Sequence, residues 1–199
     1  METAIVSSVS DQRRADAILA AAGRLFLGPG RVNMDDLARE LGMSKKTIYR
    51  HFPDKHGLMI AVLDRQFAAI ENAVVAAARD TADQPFAVRI QRFLLAVGSE
   101  FRRIGAAQLA VGRGDAVLRK HVEERIDAVV YRPLGELYRH GHELGLLSAP
   151  PELLTEITRG AVERLLNGQL PRELDCTAAD LLRATVDTVL HGALRPANE

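Results

Sequence analysis

The 199-residue chain has no tryptophan, a single cysteine and only 5% aromatic residues, and its 26 Lys and Arg are matched by 26 Asp and Glu. Each shortage excludes something. One cysteine, Cys176, cannot close a disulfide within one chain, which fits a reducing compartment. No apolar run approaches the roughly 18 residues of a membrane span, and the first residues lack the basic and apolar segments of a signal peptide. A cytoplasmic protein with no membrane partner is expected. Alternating apolar and polar runs are missing, so no strand pattern competes with the helical spacing that fills the chain. No Gly-x-Ser-x-Gly elbow, phosphate-cradling glycine loop or dinucleotide fingerprint occurs, so neither a catalytic residue nor a cofactor is indicated.

What the chain does have is 47% hydrophobic residues, enough to bury a core and to divide into a small head and a larger body. The head carries the most informative segment, from Asn33 to Phe52. Met34, Leu37, Ala38 and Leu41 fall at i, i+3, i+4 and i+7, the apolar stripe of one helix face. Asn33 is placed to cap that helix, Asp35 and Asp36 lie near its positive end, and Gly42 permits the left-handed backbone that closes it. Ser44 caps a second, shorter helix in which Ile48 faces inward, with Phe52 just beyond. Lys45, Lys46, Thr47, Tyr49, Arg50 and His51 face outward. Such a mixture of cations, hydroxyls and imidazole suits phosphates and base edges. A helix this short is held by packing, as the second helix of a helix-turn-helix is.

Charge supports the same reading only locally. Between Ser44 and His56 there are four Lys or Arg (Lys45, Lys46, Arg50, Lys55) and one acid, Asp54, although the whole chain sums to zero. A solvated basic face on an ordinary helical hairpin is the plainer alternative. Individual residues also have plainer roles, Tyr49 as a packing aromatic and Arg50 as a surface cation or the partner of an acid on the first helix.

The chain resembles the TetR family of bacterial transcriptional regulators over roughly its first 65 residues. The likeness rests on Ala17-Ile18-Leu19-Ala20-Ala21-Ala22, Leu25-Phe26, Met34-Asp35-Asp36-Leu37-Ala38, Gly42-Met43-Ser44-Lys45, Thr47 through Lys55, and Leu58 to Val62. Two features depart from the family's pattern. The loop between Phe26 and Met34 is shorter than usual with Asn33 in place of Thr or Ser, and Lys46 stands where glycine is frequent. The resemblance implies an all-α fold with an N-terminal three-helix DNA-binding head and a larger C-terminal ligand-binding and dimerisation domain. By it, Lys45, Lys46 and Thr47 approach base edges and phosphates in the major groove, Tyr49 and His51 hydrogen-bond the backbone, Lys55 pairs with a phosphate at the start of the fourth helix and Asn33 contacts the backbone from helix two, with Ser44 and Arg50 on the same DNA-binding surface. Arg13 and Arg14, just before helix one, are either further phosphate contacts or a solvated pair. Residues 1–11 read as a loose arm, 12–56 as the DNA-binding domain with its motif at about 33–52, and 57–199 as the regulatory domain.

Beyond the head, helices are expected over about 55–79 and 86–103, followed by a turn at 112–115 and helical sequence to about 143 that Pro133 kinks or restarts. The last two helices, 151–168 and 177–193, carry broad apolar faces (Leu153, Leu154, Ile157, Ala161, Leu165, Leu166; Leu181, Leu182, Val186, Val189, Leu190). A homodimer built from these two helices is the expected assembly, and the resemblance implies the same. The resemblance also implies an effector site. Leu63, Phe67, Phe93, Val97, Phe101, Ile126, Val130, Leu134 and Tyr138 are candidates to line it, although plain core is the more ordinary role of each, and they suit an apolar or amphipathic ligand. Arg102, Arg103, His121, His140 or His142 would supply a polar anchor. Glu136, His140 and Glu143 share a helix face, but no second motif joins them to make a metal site. Two functions thus stand in view: a repressor that binds a double-stranded operator and is released by a small effector, and an all-helical enzyme or scaffold with an incidental basic hairpin.

Overall fold

The computed structural model describes residues 2–26, 33–104, 115–167, 180, 184–185, 187–189 and 192. These residues are helical, with short turns between helices and no extended strand. Among the described residues the α-helices are, in chain order, α1 Glu2–Phe26, α2 Met34–Leu41, α3 Lys45–His51, α4 Lys55–Asp80, α5 Phe86–Ile104, α6 Ala116–Ile126, α7 Arg132–Glu143 and α8 Pro151–Asn167, with a π-helical turn at Asp127–Tyr131. They form two compact units. The head draws on residues 1–66 and 107–122, and the body on 67–106 and 123–199.

The head is organised by one apolar cluster. Ile18, Ala21 and Ala22 of α1, Met34 and Leu37 of α2, Ile48 of α3, and Leu58 and Val62 of α4 are buried together, with Leu19, Leu25, Ala38, Leu41, Met43 and Phe52 packed around them. The stripe read along α2 is thus the face it buries. α1 is longer than expected and begins at Glu2, so residues 2–11 form its first turns instead of a loose arm. Neither Pro nor Gly interrupts that stretch, so nothing in it stops a helix from propagating backwards.

In the body, α5 buries Phe86, Ile90, Phe93, Leu94, Val97 and Phe101, and α7 buries Leu134 and Tyr138. Gly141 of α7 is also buried, where it admits the Phe86 ring. Between α7 and α8, the Tyr138 hydroxyl lies 3.0 Å from Thr158 Oγ1, and Thr158 donates to the Leu154 carbonyl, so both buried hydroxyls are satisfied. Pro133 lies in the first turn of α7, as one of the two expected arrangements has it, but α7 follows on from a π turn without a gap. The chain stays helical from Ala116 to Glu143 and widens to a π turn just before the proline, where the Arg132 amide bonds the Asp127 carbonyl. Proline lacks an N–H and crowds the carbonyl four residues back, and a wider turn relieves both. Arg159 of α8 braces this turn. Its guanidinium stacks 4.1 Å from the Tyr131 ring centroid and lies 2.8 Å from Asp127 Oδ1.

Of the last two helices, α8 matches its expected extent, whereas 177–193 lies largely outside the described residues, as does Cys176. On α8, Leu154 and Val162 are buried while Leu153 and Ile157 are 51% and 46% exposed. Among the described residues no helix is long and apolar enough to cross a membrane.

Candidate nucleic-acid interface

Local chemistry sets α2 and α3 at fixed ends. Asn33 Oδ1 accepts from the amides of Asp35 and Asp36, both at 2.9 Å, so the first free N–H groups of α2 are satisfied by one side chain. At the other end Gly42 adopts φ +60°, its amide bonding the Arg39 carbonyl and the Met43 amide reaching back to Ala38. This is a Schellman closure, which needs a residue at ease in the left-handed region. Ser44 Oγ then accepts from the Thr47 amide at 3.1 Å and lies 2.9 Å from Thr47 Oγ1. Only Ile48 of α3 is buried. One buried residue in a seven-residue helix therefore sets which side turns outward.

The outward residues are Ser44, Lys45, Lys46, Tyr49 and Arg50, all exposed, with Thr47 and His51 half-buried. His51 Nε2 is buried without a hydrogen-bond partner among the described residues. Lys55 begins α4 and is exposed, and Asp54 caps that helix by accepting the Gly57 amide at 2.7 Å. Asn33, Ser44, Lys45, Lys46, Thr47, Tyr49, Arg50, His51 and Lys55 therefore all belong to α2 to α4 of the head or their caps.

Lys45 and Arg50 are engaged within the head. Lys45 Nζ lies 2.7 Å from Asp35 Oδ1, and the hydrogen bond and charge of Asp35 hold the ammonium above its ordinary pKa. The Arg50 guanidinium lies 3.6 Å from Asp11 of α1, which also pairs with Arg14 at 3.5 Å. The plainer role read for Arg50, partner of an acid on the first helix, is the one the structure displays. Lys46 has no ion-pair partner among the described residues. Asp35 and Asp11 were not among the site residues read from sequence, because no helical spacing links them to the cations they meet.

Two further acid–histidine pairs lie in the head. His56 Nε2 bonds Asp115 Oδ2, and His121 Nε2 lies 2.9 Å from Asp64 Oδ1. Asp115 also caps α6 through the Val117 and Leu118 amides at 3.0 and 3.1 Å. The Leu118 amide first, and His56 after it, hold the Asp115 carboxyl below its usual value of 3.8.

The residues read as lining an effector site are nearly all buried. Leu63 falls in the head, and Phe67, Phe93, Val97, Phe101, Val130, Leu134 and Tyr138 in the body core, with Ile126 half-buried. A cleft of about 710 Å³ opens elsewhere in the body, between the end of α4 and α5, walled by Ala77, Thr81, Gln84, Val88, Arg92 and Ser99 among others. None of the nine candidates lines it. His140 and His142 are exposed, His121 is held by Asp64, and the side chains of Arg102 and Arg103 lie outside the described set. Glu136, His140 and Glu143 are all exposed on α7.

Residues 18–62 match the family model of bacterial regulatory proteins, tetR family. The HTH-type transcriptional activator FasR of Mycolicibacterium smegmatis is 37% identical over 75 residues, which are 37% of this chain and span 34% of that relative's length. Among solved structures, a TetR family transcriptional regulator from Agrobacterium tumefaciens superposes with a TM-score of 0.71 at 16% identity, covering 93% of this chain and 100% of the other. A protein from Saccharomonospora viridis whose crystal structure holds choline gives 0.72 at 18%, again over 93% and 100%. These two likenesses establish the fold, all-helical with an N-terminal helix-turn-helix. The sequence match falls on the α1–α4 head just described, and over residues 18–62 the chain is similar to the TetR family of bacterial regulatory proteins.

Proposed function

We propose that the protein is a transcriptional regulator that binds operator DNA through α3, with Lys45, Lys46 and Thr47 toward the major groove and Tyr49, Arg50, His51, Asn33, Ser44 and Lys55 toward the backbone. The observation that carries this reading is the capped α2–α3 pair, in which one buried Ile48 turns a run of cations and hydroxyls to solvent. The working form is a homodimer in the cytoplasm. Leu153 and Ile157, half exposed on α8, supply apolar surface for a partner copy, and a twofold pair of heads reads two half-sites. Control is by repression, relieved when an apolar or amphipathic effector binds the body state that misplaces the heads.

A second mode, activation, is favoured by the identity to FasR, an activator by name. A reporter fused to the bound promoter separates the two modes: repression predicts rising expression when the chain is deleted, activation a fall.

The direct test is titration of the purified protein against its own upstream intergenic DNA and a scrambled duplex of equal length at near-physiological salt. Selective binding by the wild type, abolished in a Lys45→Ala, Lys46→Ala, Tyr49→Ala variant that keeps its fold and dimer, is the expected result. Equal weak binding to both duplexes, lost in modest salt, would return the basic hairpin to an incidental feature of an enzyme or scaffold.

A further inference from the structure

Two adjacent acids of α2 have different partners. Asp36 Oδ1 lies 2.9 Å from Arg39 of its own helix, whereas Asp35 reaches out of α2 to Lys45 Nζ of α3 at 2.7 Å. Asp35 is not needed as a cap, because Asn33 Oδ1 already takes the amides of Asp35 and Asp36. Its carboxylate is committed to the ammonium. The pair is half exposed on both sides, so water and salt weaken it and a phosphate can compete for the lysine. An ammonium has three donors, and the one given to Asp35 leaves two in a defined direction.

We propose that Asp35 is a specificity-determining residue of the DNA-binding surface: it positions Lys45 Nζ and offsets its charge, which holds down affinity for phosphates of any sequence while two donors stay aimed at a base edge. The inference rests on the DNA-binding reading. A lysine without this partner is a mobile point charge that pairs with any phosphate it meets. Sequence-independent affinity then rises, and the ratio that distinguishes operator from bulk DNA falls.

The test uses the full chain and the same two duplexes over a salt series. Asp35→Asn is expected to raise scrambled-duplex affinity by about threefold to tenfold and to steepen its log–log salt slope by about 0.9. Upstream-duplex affinity rises less, so selectivity falls, and Asp35→Glu restores it. Asp36→Asn removes the same charge but releases Arg39 on α2, and it leaves selectivity near the wild-type value. In a Lys45→Ala background Asp35→Asn has no further effect. Matching behaviour of Asp35→Asn and Asp36→Asn, or an Asp35→Asn effect that survives without Lys45, overturns the assignment. A wild-type protein that fails to distinguish the duplexes overturns the DNA-binding reading itself, and Asp35 falls with it.

Discussion

Replacing Gly141 by Ala is expected to destabilise the body, against the usual preference of helices. Inside a helix alanine is favoured over glycine by about 1 kcal/mol. Gly141, however, lies buried in α7 beneath the Phe86 ring, and a Cβ added there would sit 2.6 Å from Phe86 Cε1 and Cε2 and closer still to Cζ. Those separations are far inside van der Waals contact, so something must shift. If α5 and α7 part, overpacking costs about 1–3 kcal/mol. If the ring, 8% exposed at the first residue of α5, swings into water instead, about 2 kcal/mol of apolar burial is lost. Set against the propensity gain, these terms leave a net loss of up to about 2 kcal/mol, a fall in Tm of up to roughly 8 °C for a chain of this size. Thermal unfolding followed by circular dichroism reads that shift. A double-mutant cycle isolates the cause: in a Phe86→Ala background the clash is gone, and Gly141→Ala should turn neutral or stabilising by up to about 1 kcal/mol. A Gly141→Ala protein that melts above wild type with Phe86 present would refute the close packing of α5 on α7.

Three other expectations follow from the same structure. Ile48→Ala removes the one buried side chain of α3 and should cost about 2–4 kcal/mol, with loss of DNA binding although Ile48 touches no DNA; guanidinium titration beside the duplex assay checks both, and a stable variant that no longer binds would contradict the anchoring role. The Asp115 carboxyl is held low by the Leu118 amide and His56, so the folded state favours its anion. That stability is complete above about pH 5 and disappears as pH falls through the depressed pKa. Wild type should therefore exceed Asp115→Asn in Tm at neutral pH and converge with it in acid, and a gap that stays constant down the pH series would exclude the linkage. Arg159→Lys keeps the charge but loses the planar stack on Tyr131 and the directed Nη2 hydrogen bond to Asp127, for an expected loss of about 1 kcal/mol in denaturant unfolding. An unchanged midpoint would show that the stack contributes nothing.

Much of the head was legible because its determinants are local. The Asn33 and Ser44 caps and the Gly42 closure act over a few residues, and the α2 stripe repeats within one helix face. Other features were hidden because their partners are remote in sequence. Asp35 meets Lys45 and Phe86 covers Gly141, and no periodicity relates the members of those pairs. The length of α1 was hidden for a different reason. Weak helix formers such as Val6, Ser7 and Ser8 announce no start, yet they also provide no stop.

The amino-acid sequence by itself determined that the described residues are helical, that α2 and α3 are short, with α2 closed at Gly42 and α3 capped at Ser44, and that cations and hydroxyls gather on α3. These outcomes follow from side-chain spacing and from hydrogen bonds between near neighbours. Tertiary structure alone decided which of those cations are engaged by carboxylates from other helices, and where the body is packed tightly enough to require glycine. It also decided that the helix passes Pro133 by widening into a π turn braced by Arg159. Distances between remote side chains depend on how helices pack, and packing depends on the whole set of apolar faces at once.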